Sequence, residues 1–174
     1  QMHSLVLLDE KDQPLRDAIL WNDVRTTKQC KKITQILGDK LIEKTKNIAL
    51  EGFTLPKIIW VMENEPDVWK KTKRLMMPKD YLSFYLTGNT YCEYSDAAGT
   101  LLLNLKSKKW DEDILTTFGI DKEKLPSLIE STGEAGLVKS EILNVLGIKS
   151  PVKVFAGGAD NACGALATGI VDEK

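Results

Sequence analysis

The start of the chain contains two short apolar stretches separated by a polar one. Residues 5–8 are apolar, residues 9–14 are polar and end in a proline, and residues 18–21 are apolar again. Apolar segments on either side of a polar, proline-containing turn are typical of two paired strands. The sequence therefore predicts a β-hairpin here.

The next stretch has helical spacing. One side of the predicted helix carries Thr26, Cys30, Ile33 and Leu37. Asn22 or Asp23 is suited to cap its N-terminus, and Gly38 stands where a helix stops. A second short helix is predicted from Asp39 onward.

Prolines and a glycine mark further helices in the middle of the chain. Residues 56–63 have the apolar character of a buried helix, and Pro66 suits the first turn of the following one. Residues 78–88 begin with proline and end with glycine, which indicates a helix with an aromatic face. We expect that face to pack in the core rather than to stack on nucleic-acid bases, because no arginines cluster beside it.

The last part of the chain predicts a strand, a glycine turn and a helix. A helix over residues 139–146 is followed by an apolar strand over residues 152–155, two glycines, and a helix of small residues over about 160–170. No repeat or low-complexity tract interrupts the chain. The predicted architecture is therefore a single mixed α/β domain.

Composition indicates a soluble globular domain, since 43% of the residues are hydrophobic and 28% are charged. The formal net charge of -1 gives no overall attraction to nucleic acid or to anionic membranes. The three cysteines are widely spaced and form no CxxC pair, which argues against a disulfide framework and a zinc site. No apolar run has the length of a membrane span, and the first residues lack a basic signal-peptide region. A reducing cytoplasm fits these features best.

The glycine turn holds the strongest candidate for chemistry, Asp160. Gly157 and Gly158 allow a sharp turn and a close approach of a ligand, and Asp160 follows near a helix N-terminus. Free amides and the helix dipole favour an ionised carboxylate there, which can accept a proton from a hydroxyl during phosphoryl transfer. The alternative is that Asp160 only caps the helix. The dinucleotide-binding pattern GxGxxG is not met, because the next glycine is Gly164.

Polar and aromatic residues suited to binding a polyol occur beside Asp160 and at the start of the chain. Asn161 offers both a hydrogen-bond donor and an acceptor, the His3 ring can bond a hydroxyl, and Met2 can pack on a carbon skeleton. Trp21 and Asp23 also suit a polar pocket. The alternatives are a structural or solvent-exposed histidine and a local pair between Asp23 and a nearby arginine.

Taken together, these segments resemble the FGGY family of carbohydrate kinases over nearly the whole chain. The family's first signature is matched at Gly52, Thr54, Lys57, Ile58, Trp60, Val61, Glu63 and Asn64. Other stretches look like the branch of the family that phosphorylates xylulose; they are residues 1–4, 19–26, 78–82, 86–88 and 94–97. The turn at residues 157–161 looks like the family's catalytic turn.

The resemblance implies an actin-like, RNase H-like α/β ATPase domain with inserted helices. It implies that the full-length protein phosphorylates D-xylulose to D-xylulose 5-phosphate with ATP and Mg2+ as cofactors, and that most of the groups that bind these cofactors lie outside this chain. Asp160 would be the catalytic base, and Met2, His3 and Asn161 would bind the sugar. Weaker candidates for lining the site are Trp21, Asp23, Phe53 and Thr54. Open alternatives are a kinase for gluconate, ribulose or glycerol, and a sugar-binding module without transfer chemistry.

Two parts of such kinases are missing from residues 1–174, namely the phosphate-binding Asp-x-Gly-Thr hairpin and the ATP-binding second domain. We therefore expect the chain to be part of the sugar-binding N-terminal domain and to be inactive alone, since phosphoryl transfer depends on positioning and charge stabilisation. An exposed sheet edge would also favour self-association, as in a homodimer. The expected partner is a small sugar, with neither nucleic acid nor membrane.

Overall fold

The computed structural model describes residues 3–171 and shows a mixed α/β arrangement. Its helices are α1 (Thr27–Leu37), α2 (Asp39–Thr45), α3 (Thr54–Asn64), α4 (Pro66–Lys71), α5 (Pro78–Thr87), α6 (Tyr94–Ala98), α7 (Glu112–Phe118), α8 (Ser140–Val145) and α9 (Asp160–Ala167). Its strands are β1 (Val6–Leu8), β2 (Arg74–Met76), β3 (Tyr91–Glu93), β4 (Leu103–Asn104), β5 (Lys109–Trp110), β6 (Ser127–Ile129), β7 (Glu134–Leu137) and β8 (Lys153–Phe155). The strands pair two by two: β3 lies parallel to β6, whereas β1–β2, β4–β5 and β7–β8 are antiparallel.

The predicted opening hairpin is only partly correct. β1 forms its ladder with β2, and its contacts with the following segment are single bridges at Ile19 and Pro14. Pro14 has no N–H with which to extend a ladder. The intervening loop is instead closed locally by Asp9, whose carboxylate accepts backbone hydrogen bonds from Lys11 and Gln13. The long-range partner strand could not be read from the local pattern.

Most predicted helices are present at nearly the expected positions. The cap assigned to α1 was wrong, since its N-cap residue is Thr26 and no side chain caps it. Asp23 does not cap this helix; its carboxylate instead accepts hydrogen bonds from the backbone N–H and the guanidinium of Arg25. The aromatic face of α5 is only partly in the core, since Phe84 is buried whereas Tyr85 is 58% exposed.

The main core surrounds α3 and the segment that follows α6. Its fully buried side chains include Ile33, Leu55, Ile58, Leu101, Leu102 and Ile114. α3 packs against α1 and α4, so this signature segment is a structural centre of the domain as well as a sequence marker. No helix within residues 3–171 is long and apolar enough to cross a membrane.

The last unit has the predicted order of strand, glycine turn and helix. β8 pairs with β7, and the turn then continues the chain into α9. Gly157 has a φ of 71°, a conformation that a glycine adopts without strain. The backbone N–H groups of Ala156 and Gly157 donate to Gly133 and Ser131. The turn is therefore held in place before α9 begins.

Candidate functional site

A cavity of about 320 Å³ lies between residues near the start of the chain and residues near its end. It is lined by His3, Trp21, Asp160 and Asn161. All four were named as candidates from the sequence, and more than 130 residues separate the first pair from the second pair along the chain. Met2, the remaining candidate for sugar binding, lies outside the described residues.

Asp160 is the first residue of α9 and is exposed toward solvent. The N-cap position belongs to Ala159, and no side chain forms a capping hydrogen bond there. The capping role that we considered for Asp160 is therefore not what the structure shows. Its carboxylate does not cap the helix. It lies at the wall of the cavity, close to the positive end of the helix.

His3 is held on the opposite wall. Its backbone carbonyl accepts a hydrogen bond of 3.0 Å from Oγ1 of Thr54, and its ring lies 4.9 Å from the ring of Phe53. Burial, together with the charge of Lys57, lowers the pKa of His3, although Asp160 acts in the opposite direction. The imidazole is therefore expected to be neutral at neutral pH, and its Nε2 has no hydrogen-bond partner within residues 3–171.

Lys57 supports this wall from inside the core and was not recognised as a site element. Its side chain is fully buried, and its Nζ donates to the backbone carbonyls of Glu51, Gly52 and Phe53 at 2.8, 2.6 and 2.8 Å. Burial lowers the pKa of Lys57 to about 8. A lysine within an otherwise apolar helix, after a glycine-containing loop, was the available signal in the sequence.

The weaker candidates divide into two groups. Trp21 lines the cavity and is 57% exposed, while Phe53 and Thr54 contact His3 rather than the cavity itself. Asp23 is not among the lining residues. Hydrogen bonding from Arg25 lowers the pKa of Asp23, so the local pair considered from the sequence is the arrangement observed.

A buried polar cluster lies beneath the turn that carries Asp160, and the sequence did not reveal it. It consists of Lys79, Asp80, Glu93 and Asp96. Nζ of Lys79 lies 3.0 Å from Asp80 and also donates to the carbonyl of Ala156. Burial raises the pKa of Asp96 to about 7, and burial also raises the pKa of Asp80.

This cluster does not fit a metal site. Nζ of Lys79 occupies the space between its carboxylates, and among residues 3–171 no group of three or more His, Cys, Asp or Glu is arranged to hold a metal ion. This cluster is therefore not a candidate for holding the Mg2+ that the resemblance implies for the full-length protein.

Comparison with known proteins identifies the family to which this α/β domain belongs. The model of the FGGY family of carbohydrate kinases, N-terminal domain, matches residues 1–167. The chain belongs to this family. The expected family and fold are therefore confirmed.

The chain is also similar to individual members of the family. The chain is 60% identical over 174 residues to a xylulose kinase of Lactococcus lactis, covering 100% of this chain and 35% of that protein. The structure of a ligand-bound xylulose kinase from Lactobacillus acidophilus is 28% identical, with a TM-score of 0.91, over 97% of this chain and 35% of that one. A gluconate kinase from the same organism is 29% identical, with a TM-score of 0.88, over 93% of this chain and 33% of that one. The chain thus spans about a third of the length of these relatives.

Proposed function

We propose that the complete protein transfers the γ-phosphate of ATP to D-xylulose and gives D-xylulose 5-phosphate. The observation that carries this proposal is the convergence of His3, Trp21, Asp160 and Asn161 on one cavity. The identity to a xylulose kinase over the whole chain supports the choice of sugar. Residues 1–174 would contribute part of the sugar-binding domain, and the remainder of the protein would bind ATP in the cytoplasm.

In this proposal, Asp160 is the general base. A hydroxyl oxygen of the sugar attacks the γ-phosphorus, and a new O–P bond forms while the bond from phosphorus to the β-γ bridging oxygen breaks. The hydroxyl proton passes to the Asp160 carboxylate, and ADP leaves with the bridging oxygen. Asn161 and His3 hydrogen-bond the other hydroxyls, with Met2 against the carbon chain, so that the attacking oxygen is held in line.

Gluconate is the main alternative substrate, since a gluconate kinase is among the similar structures. The lining of the cavity disfavours it. Its described side chains include the Asp160 carboxylate, no lysine and no arginine, and the lowered pKa of His3 keeps the imidazole from serving as a cation. An acid sugar would therefore meet a carboxylate without a compensating charge, whereas a neutral ketose would not.

The test is a coupled assay of ADP release by the complete protein with D-xylulose, gluconate, ribulose and glycerol. Asp160→Asn and Asp160→Ala serve as variants, and the 174-residue chain serves as a separate sample. We expect turnover of D-xylulose, a loss in kcat of at least about 100-fold in both variants, and no turnover by the 174-residue chain. Turnover of gluconate alone would refute the sugar assignment, and near-normal activity of Asp160→Ala would refute the role of the base.

A further inference from the structure

α6 and its flanking residues contact both walls of the proposed sugar site. This short helix follows β3, and the chain leaves it at Gly99. We propose that it is a positioning element: Ser95 fixes the turn that carries Asp160, and Gly99 makes room for the His3 ring. One rigid segment would then set the separation of the base from the sugar-binding histidine. This inference rests on the proposed function.

The contact on the Asp160 side is a hydrogen bond from the backbone. The N–H of Ala159, the residue before Asp160, donates to Oγ of Ser95 at 2.9 Å. The Oγ–H of Ser95 in turn donates at 2.8 Å to the fully buried carboxylate of Glu93. The start of α9 is thus tied through one hydroxyl to a side chain in the core.

Glu93 itself has little freedom to move. Its carboxylate also accepts hydrogen bonds from the backbone N–H groups of Ser95 and Asp96, at 2.8 and 2.7 Å, and from Oγ of Ser131 at 3.0 Å. A carboxylate with this many donors is fixed in orientation. The backbone carbonyl of Ser131 also accepts a hydrogen bond from the N–H of Gly157. Both ends of the glycine turn are therefore hydrogen-bonded to a serine that itself donates to the Glu93 carboxylate.

The contact on the His3 side depends on the absence of a side chain. A Cβ added at Gly99 would lie within 3.0 Å of both Cδ2 and Nε2 of His3, closer than real Cβ atoms approach. Gly99 has a φ of -72°, which any residue adopts, so the need for glycine here is one of space and not of backbone conformation. The backbone carbonyl of Gly99 also accepts the N–H of Thr54, the residue whose hydroxyl holds His3.

Two substitutions on one segment should therefore affect two different kinetic constants. Ser95→Ala loosens the turn that carries both Asp160 and Asn161 and leaves the His3 wall in place, whereas Gly99→Ala displaces the His3 ring and leaves the base in place. We expect Ser95→Ala to lower kcat about tenfold with a smaller rise in KM for D-xylulose, since Asn161 moves with Asp160. We expect Gly99→Ala to raise KM about tenfold with a smaller change in kcat.

The first experiment is a double-mutant cycle of Gly99→Ala with His3→Ala in the complete protein. If Gly99→Ala acts by overlap with the ring, it should raise KM less than about twofold further in the His3→Ala background. The midpoint of thermal unfolding should show the same pattern, with a loss in the single Gly99→Ala variant that is restored in the double variant. Equal effects of Gly99→Ala in both backgrounds would overturn this half of the proposal.

The second experiment compares Ser95→Ala, Ser95→Thr and the exposed control Ser107→Ala. Ser95→Thr keeps the hydroxyl and should retain most of kcat, and Ser107→Ala should match the unaltered protein. Hydrogen exchange of the peptide containing the Ala159 amide should become faster in Ser95→Ala only. Unchanged exchange and unchanged kcat in Ser95→Ala would overturn this half. Because exchange and thermal unfolding need no substrate, they test the positioning element even if D-xylulose is not the acceptor.

Discussion

Replacing Lys57 by methionine is the sharpest test of how the His3 wall is supported. Methionine has a similar volume and is apolar, so the substitution removes the charge and its hydrogen bonds without opening a large cavity. The three backbone carbonyls of residues 51–53 would lose the hydrogen bonds that the fully buried Lys57 side chain donates to them. Phe53, which packs against His3, belongs to this loop.

The magnitude follows from two opposing effects. Hydrogen bonds from a charged donor contribute about 1.5–3 kcal/mol each, so the contacts of Lys57 contribute roughly 6 kcal/mol together. Burial opposes them, since a pKa that falls from 10.5 to about 8 corresponds to roughly 3 kcal/mol. We therefore expect Lys57→Met to lower the free energy of unfolding by about 3 kcal/mol at pH 7, and to raise KM for the sugar through the loosened Phe53 loop.

The pH dependence has a defined sign. Between about pH 8 and 10.5, the unfolded chain holds a proton on Lys57 more tightly than the folded chain does. The stability of the unaltered protein should therefore rise with pH in this window relative to that of Lys57→Met.

Denaturant titrations of the complete protein at pH 7 and pH 9.5 measure both effects. Lys31→Met, at an exposed position on α1, is the matched control and should change stability by less than about 0.5 kcal/mol. A Lys57→Met protein as stable as the Lys31→Met control would refute the reasoning.

Three further outcomes are expected. Burial lowers the pKa of His3 below its ordinary value of 6.5, so the ring gains a proton, and kcat/KM of the unaltered protein falls, only below pH 6.5. A pH profile of His3→Gln should lack that fall. Burial raises the pKa of Asp96 from 3.8 to about 7, so stability is lost as pH rises between these values and the loss is complete above about pH 7. Asp96→Asn should therefore raise the unfolding midpoint more at pH 8 than at pH 5. Asp111 is buried, caps α7 and pairs with Lys44, so Asp111→Ala should lower the free energy of unfolding by about 3 kcal/mol in a denaturant titration. The exposed Asp113 pairs with the same lysine, and Asp113→Ala should lower it by less than about 0.5 kcal/mol.

The candidate site could be predicted from the sequence because its chemistry lies in short local motifs. The local sequence places Asp160 at the start of α9, whereas the position of the turn before it depends on hydrogen bonds to Ser95, Ser131 and Gly133. The partnership of Asp160 with His3 could not be derived from spacing, since more than 150 residues separate them. It came from the family resemblance, and the cavity that both residues line is consistent with it.

The elements that the sequence did not predict are those that depend on distant partners. The pairing of β1 with β2 joins segments about 70 residues apart, whereas the local signal pointed to a hairpin. Asp80 and Asp96 lie in stretches that resemble the family, but nothing local in the sequence shows that they are buried together with Glu93 around Lys79. Burial of polar groups is decided by tertiary packing, so such a cluster becomes visible only in the folded chain.

The charge of the cavity bears on how the proposed reaction would proceed. The pKa of His3 is lowered by burial and by the charge of Lys57, so the described lining carries the Asp160 carboxylate without a cation beside it. A neutral sugar can enter such a pocket at little electrostatic cost, but a phosphorylated sugar would bring its new charge toward the same carboxylate. The groups that stabilise the transferred phosphate must then come from outside this wall. Once these groups separate from the product and Asp160 has released its proton to solvent, repulsion between the carboxylate and the new phosphate would favour release of the product.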